Sequence, residues 1–461
     1  MLFPRPKNRT RQLAVMKFTN IQIREIHYDF EDYLYRTPIK FGGVALDRVT
    51  ILNAKTTVET VSGKMSSGFG SMPLGNVWAW PSRGMTYEQT LSGMKQAAEA
   101  VAAIYRAHPM AGHPVELSHA LEPTVRSFDP GLAEPMPTLA VLVAASAFDA
   151  ALHDAFGKVH RLNSYRTYGP DFFEPDLGYF LGPEFAGERL DRYVRTEPRP
   201  IMPLYHLVGA LDPLTPAEVK DPVGDGLPEH LGEWIEADGL THLKIKLNGD
   251  DLGWDVDRVL AVDRVAENVQ RRRGVITWYY SLDFNERCRS VGYLLEFLGQ
   301  LKTRCPAGFD RVQYVEQPTA RDLKANPANT MHEAAKIKPV VIDESLVDLE
   351  SLDLARDMGY TGVAFKACKG QTQTLLLAAA AQKMGLFRCV QDLTCPGASL
   401  IHSAGIAAHI PGVAAIEANS RQYCPAANAD WDARFPGVFT IRGGVMNTGI
   451  LTGPGLGAVP V

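Results

Sequence analysis

The chain predicts an α/β fold: a parallel (β/α)8-type barrel, TIM-like, with an α+β capping domain. Three observations predict it. From about residue 200 onward, short apolar runs alternate with helical patterns, as in a parallel sheet with crossover helices. Five of these runs end in charged residues: Lys244-Ile-Lys246, Asp283-Phe-Asn285, Glu316-Gln-Pro318, Asp343-Glu344-Ser345 and Lys366-Ala-Cys-Lys369-Gly370. The C-terminal ends of barrel strands are where such a fold keeps its chemistry. Before them, residues 17–70 alternate apolar and polar positions between turn residues, which reads as a small antiparallel sheet.

Residues 1–16 read as a leader, either disordered or upstream of a true start at Met16. They are basic and lack a signal-peptide apolar core. Phe18, Ile21, Ile23 and Ile26 then open the sheet pattern. A helix is expected over 86–106, capped by Thr86, with Leu91, Met94, Ala98, Val101 and Tyr105 on one face. The proline-rich stretch 107–137 breaks the helical pattern and places a domain boundary near 130. The cap therefore covers 17–130. An apolar helix over 138–157, stopped by Gly157, opens the barrel domain, 131–420. Within it, 166–200 is rich in Gly, Pro and aromatics and reads as an insertion or long loop. The run Met202–Val208 is the first barrel strand, and Phe387–Gln391 and Val413–Glu417 complete eight with the five charged ends. Residues 421–461 are expected to return to the cap.

Parity within a strand supports closure. Leu243, Ile245 and Leu247 share one face and Lys244 and Lys246 the other, so the apolar set meets helices while the lysines point into the barrel. Asp283 and Asn285 share a face by the same count.

The bulk numbers exclude several classes. A net charge of −5, with 46% hydrophobic and 21% charged residues, gives no signal for nucleic acid or an anionic membrane. No apolar run is expected to span a bilayer. The six cysteines form no CxxC pair, which leaves zinc ribbons and thioredoxin-like chemistry unsupported and reads as reduced thiols in a cytoplasmic protein.

The order basic, acidic, acidic, acidic, basic carries the function. Lysines 244 and 246 end the second strand and Lys366 the sixth, four strands apart and so opposite in a barrel of eight. Asp283, Glu316 and Asp343 end the strands on the arc between. Three converging carboxylates repel one another and call for a cation. Oxygen-only ligation favours Mg²⁺, with Mn²⁺ second. A substrate carboxylate on that metal would set its α-carbon between the two lysines. One neutral lysine then removes the α-proton to give an enediolate.

Taken together, these motifs resemble the barrel of the enolase superfamily, in its muconate-lactonizing-enzyme-like branch. Arg36-Thr-Pro-Ile-Lys-Phe-Gly-Gly resembles that family's first substrate loop, and Gly453-Pro-Gly-Leu-Gly457 its closing segment. The resemblance implies that Lys246 and Lys366 are the acid/base pair and that Asp283, Glu316 and Asp343 hold the metal. It further implies that Lys244 contacts the substrate carboxylate. Further substrate contacts are expected from Asn285, Glu417, Arg36, Lys40 and Trp78. The mandelate-racemase branch would place a His at the end of strand seven, where this chain has Cys389-Val-Gln-Asp-Leu. Two departures leave the substrate open. Gly68-Phe-Gly-Ser replaces a Gly-Trp-Gly-Glu type segment, and Glu417-Ala-Asn419 replaces the Asp-x-Asp of dipeptide epimerases.

Each motif alone has a plainer reading. Lys-Ile-Lys suits a half-solvated strand, Asp-Phe-Asn a turn and Asp-Glu-Ser a helix cap. It is five in one order that point to a site. Either Asp343 or Glu344 suits the third ligand position. Trp78 and Trp80 read equally as a loop over the site or as cap core, and His206 as a substrate contact or barrel packing. Lys369 reads as a residue that supports the site from behind its ligands or is solvated, rather than as a catalyst; Cys368 reads as packing rather than a nucleophile, and His402 as structural. The expected reaction is racemisation, epimerisation or cycloisomerisation; the expected partner is a small carboxylic acid, and the expected assembly a homo-oligomer. An acid-sugar type dehydratase on the same scaffold is the alternative. A Schiff-base aldolase using Lys366 and a barrel that binds without catalysis are more remote.

Overall fold

A computed structural model describes residues 17–41 and 44–457. The leader expected at 1–16, Gly42-Gly43 of the first substrate loop and the last four residues lie outside the described residues. Strands β1 (Ile21–Phe41), β2 (Val44–Thr60) and β3 (Met65–Pro73) form an antiparallel meander, with Phe30 opposite Leu52 and Ala54 opposite Gly70. The expected helix follows at Tyr87–Ala107. Thr86 accepts from the Gln89 amide and the Gln89 side chain accepts from the Thr86 amide, which satisfies two helix-end donors reciprocally.

Three expectations are corrected. The proline-rich stretch holds a helix, Pro114–Arg126. Pro114 occupies its first turn, where a missing N–H costs nothing, and His113 caps it. The apolar helix runs Thr138–His160, past Gly157, and ends at Arg161 in left-handed backbone. Gly157 serves close packing there: a Cβ on it would stand 2.7 Å from Gly455 Cα and 2.4 Å from Ser164 Oγ. This helix is also long and apolar enough to cross a membrane, contrary to expectation, but 94% of that apolar window is buried inside the protein. It packs along β3 and β2, and the Gly453–Gly457 segment packs on it in turn.

Residues 166–200 fold into short turns around one small helix, Leu177–Leu181, and bury Tyr168, Phe173, Phe185 and Leu190. Eight parallel strands follow: β4 (Ile201–Val208), β5 (His242–Lys246), β6 (Tyr279–Asp283), β7 (Val312–Glu316), β8 (Val340–Ile342), β9 (Gly362–Phe365), β10 (Phe387–Val390) and β11 (Val413–Glu417). They hydrogen-bond in sequence order, and β11 pairs back onto β4, so the sheet closes. A short β12 (Val445–Asn447) adds antiparallel to the first residues of β4, so part of the C-terminal segment lines the N-terminal end of the barrel. The barrel interior is filled by Tyr205, Tyr314, Val341, Ala364, Cys389 and Ala415. Two residues further along each of β7, β8, β9, β10 and β11, on the same face, stand Glu316, Asp343, Lys366, Gln391 and Glu417. The polar layer is thus one pleat above an apolar floor.

Candidate active site

Strand register builds the site. Lys246 lies opposite Asp283, and Asp283 opposite Glu316, so three charged side chains from β5, β6 and β7 share one row. Gln317, left-handed at φ 27°, then ties β7 to the end of β8: its Oε1 accepts from the Asp343 and Ser345 amides at 3.1 and 3.3 Å. Lys244, Lys246, Asp283, Glu316, Asp343, Lys366 and Glu417 are each 6% exposed or less. Burying so many charges is tolerable only because they are paired.

The pairing is specific. Lys244 Nζ donates to Glu316 Oε1 at 2.8 Å and Glu417 Oε1 at 2.7 Å, and lies 3.1 Å from Asp283 Oδ2. Lys246 donates to Asp283 Oδ2. Lys366 Nζ lies 2.8 Å from Asp343 Oδ2. Lys369 donates to the Asp343 carbonyl at 2.6 Å and lies 3.3 Å from Asp343 Oδ1. Burial alone would raise the pKa of Asp283, but the ammonium groups of Lys246 and Lys244 outweigh it and hold this carboxyl well below its usual range. Asp343 is held at about 2 in the same way, with Lys366 and Lys369 prevailing over burial. Burial and the neighbouring Asp343 push Glu344 up to about 8. Lys366 is buried, yet the Asp343 carboxylate keeps it above the ordinary lysine range.

Sequence-based candidates separate into two groups. Lys244, Lys246, Asp283, Glu316, Asp343, Lys366 and Glu417 come together, with Glu417 serving as an ion partner of Lys244. Trp78 joins them from the cap: its indole Nε1 donates to Glu344 Oε1 at 2.9 Å and its ring lies 4.3 Å from Lys366 Nζ. Trp80 is core, packed by Gly93. Arg36 and Lys40 sit at the C-terminal rim outside the cluster. Arg36 pairs with Asp225 at 2.7 Å and lines a cavity of about 640 Å³ with His206, Asp212 and Tyr423. Lys40 donates to Asn248 at 3.3 Å. Strand β6 ends at Asp283, and Asn285 takes left-handed backbone (φ 46°), so the shared-face count stops before it; its amide donates to Asp283 Oδ1 at 2.8 Å. One buried member was missed: Gln391 donates to Glu316 Oε2, a contact that parity two residues beyond Cys389 would have shown. Of the two readings of Lys369, support of the site and solvation, the structure has the first: it reaches Asp343 through a turn that no strand count predicts.

Among the described residues no three His, Cys, Asp or Glu side chains stand in metal-binding geometry. The donor chemistry nevertheless fits a hard cation. Asp283, Glu316 and Asp343 offer oxygen alone, and a positive charge, the Lys244 ammonium, already bridges Asp283 and Glu316. Glu344 Oε2 is buried without a hydrogen-bond partner beside them.

A family model described as enolase C-terminal domain-like matches residues 226–460, half of the chain. The chain belongs to the enolase superfamily. No curated protein matches in sequence. Solved structures share the superfamily fold at low identity. A dipeptide epimerase from Enterococcus faecalis, complexed with Mg and the dipeptide L-Leu-L-Tyr, aligns at TM-score 0.64 with 16% identity, over 95% of this chain and 99% of that one. A muconate lactonizing enzyme from Pseudomonas fluorescens, complexed with muconolactone, aligns at 0.61 with 16% identity, over 95% and 96%. A mandelate racemase/muconate lactonizing protein from Herpetosiphon aurantiacus aligns at 0.62 with 18% identity, over 95% and 98%.

Proposed function

We propose that this superfamily member removes the proton α to a substrate carboxylate and returns one, giving racemisation, epimerisation or cycloisomerisation. The observation that carries the reading is the placement of Lys246 and Lys366. In a closed sheet of eight, β5 and β9 have three strands between them on either side, so the two buried lysines face one another across the mouth. A substrate carbon between them meets an amine on each face, which is the arrangement inversion at carbon requires. One lysine takes the proton and the other delivers one to the opposite face. The charge left on the substrate is an enediolate.

Asp283, Glu316 and Asp343 would hold a Mg²⁺, with Mn²⁺ as substitute; when bound, it supplies positive charge for the substrate carboxylate and for the charge that develops on proton removal. The Mg named with the E. faecalis structure supports the choice of ion. Lys244 orients the carboxylate, and Trp78 closes the Lys366 side against water. A Schiff-base role for Lys366 would instead be revealed by borohydride trapping with a carbonyl substrate. A lyase outcome shares every group and differs only in a β-leaving group on the substrate.

The test is incubation with a panel of carboxylic acids in D₂O, with mass and chirality analysis. Exchange with inversion supports the isomerase, and loss of water the dehydratase. Lys246→Ala and Lys366→Ala should each abolish inversion, a fall of about 10³-fold or more, while each still exchanges the α-proton of one enantiomer. Wild-type rates in both variants on a confirmed substrate would end the two-base reading.

A further inference from the structure

The helix Gln371–Lys383, which follows the lysine-bearing strand β9, begins at Gly370 without a side-chain cap of its own. The missing cap comes from another element. Asp149, 5% exposed on the helix Thr138–His160 that packs under the cap sheet, accepts from Thr372 N at 2.7 Å through Oδ2. Its Oδ1 accepts from the Thr372 hydroxyl at 2.8 Å and the Ser118 hydroxyl at 2.6 Å. Because the Thr372 proton goes to Asp149, the His153 Nε2 at 2.8 Å must donate to Thr372 Oγ1, and His153 Nδ1 then accepts from the Tyr168 hydroxyl at 3.0 Å. One tautomer of a neutral His153 satisfies the whole chain, and burial pushes that imidazole down to about 4.

Between β9 and Thr372 the backbone is tightly turned. Lys369 N bonds the Lys366 carbonyl at 3.0 Å, Gly370 N bonds Ala367 O at 3.0 Å, and the Thr374 hydroxyl bonds Lys366 O at 3.1 Å. Gly370 has φ 98°, and a Cβ on it would stand 3.2 Å from Asp149 Oδ2. Both lysines of this turn close on Asp343. We infer that Asp149 is a positioning residue for the active site: from the cap-side helix it caps Gln371–Lys383 and thereby holds the 366–372 turn, with Lys366 and Lys369, against Asp343. The consequence for catalysis rests on Lys366 being a base; the anchoring itself does not.

Hydrogen exchange read by mass spectrometry on the full chain tests the anchoring without turnover, and calorimetric titration with Mg²⁺ tests its reach to Asp343. Asp149→Asn and Thr372→Val should speed exchange of the 367–374 amides by about 10-fold or more, with β4 amides unchanged. Both should weaken Mg²⁺ binding by about 10-fold, as the loss of groups supporting a ligand does. Thr372→Ser, which keeps the hydroxyl, should restore both. Should Asp149→Asn fail to fold, the two Thr372 variants decide. The inference is overturned if the 367–374 amides keep wild-type protection, or lose it only in step with β4, or if Ser and Val at 372 behave alike. Should wild-type protein bind no Mg²⁺, the metal reading falls, and exchange alone decides the anchoring.

Discussion

His402 is 1% exposed in the helix Ala398–His409, and neither ring nitrogen has a hydrogen-bond partner. Burial, with Lys158 nearby, pushes its pKa down to about 3. The unfolded chain takes up a proton as pH falls through about 6.5, whereas the folded chain does not until about 3. Folding stability is therefore intact above the unfolded value and is lost as pH falls below it. Relative to wild type, His402→Leu should gain about 2 kcal/mol between about pH 7 and pH 5. Urea titrations at both pH values check this; a wild-type–variant gap independent of pH would mean that His402 is not a neutral buried group. At this scale the sequence was most readable where a side chain lies on a strand. Lys246, Asp283, Glu316, Asp343 and Lys366 follow from period-two counting to the end of each strand. Lys369 did not, because its reach to the Asp343 carbonyl depends on the turn after β9, and Asn285 did not, because left-handed backbone interrupts the count.

At the scale of elements, the contact that seats the cap is strand β3 against the helix Thr138–His160. The two backbones approach so closely that side chains are excluded. A Cβ on Gly70 would stand 1.9 Å from the Ala147 carbonyl, and one on Gly68 would stand 2.2 Å from Ala151 O and Ala155 N. The opposing helix face is built of alanines 147, 151 and 155 for the same reason. Gly70→Ala forces backbone apart rather than a flexible side chain, so it should destabilise by about 3 kcal/mol or more. Thermal and denaturant unfolding measure this; a loss under about 1 kcal/mol would show that the strand and helix separate freely. The departure at Gly68-Phe-Gly-Ser thus has a packing role that sequence reading assigned to a family segment. The same cause explains Gly157, a natural helix stop by composition that instead admits Gly455. Close approach is a property of two segments far apart in sequence, so neither alone displays it.

For the whole molecule, the cluster at the barrel mouth couples stability to cation binding. Three buried carboxylates repel one another, and lysines, helped by the Gln391 side chain and the Asn285 amide, relieve them in the structure described. A ligand that binds the folded chain alone stabilises it by about 2.7 kcal/mol at one hundred times its dissociation constant. Adding Mg²⁺ should raise the melting temperature in a saturable way, and EDTA should reverse the gain. Asp283→Asn should abolish the response. A melting temperature indifferent to Mg²⁺ and Mn²⁺ would count against the proposed metal site.

The sequence by itself determined the closed barrel, its strand order and the inward set of charged residues, because each is a local pattern: a two-residue period, a helix between strands, a charge at a strand end. It also determined the superfamily, through five motifs in one order. Tertiary structure alone decided which of those charges meet. It brought Trp78 from the cap to Glu344 and Lys366 and left Arg36 and Lys40 on the rim. It also made the apolar helix Thr138–His160 a packed core element and set Asp149 on it against Thr372. These are contacts between segments separated by up to several hundred residues. Their physical reason is shape: how closely backbones approach and which buried polar atom lies within reach of another, neither of which a linear pattern encodes.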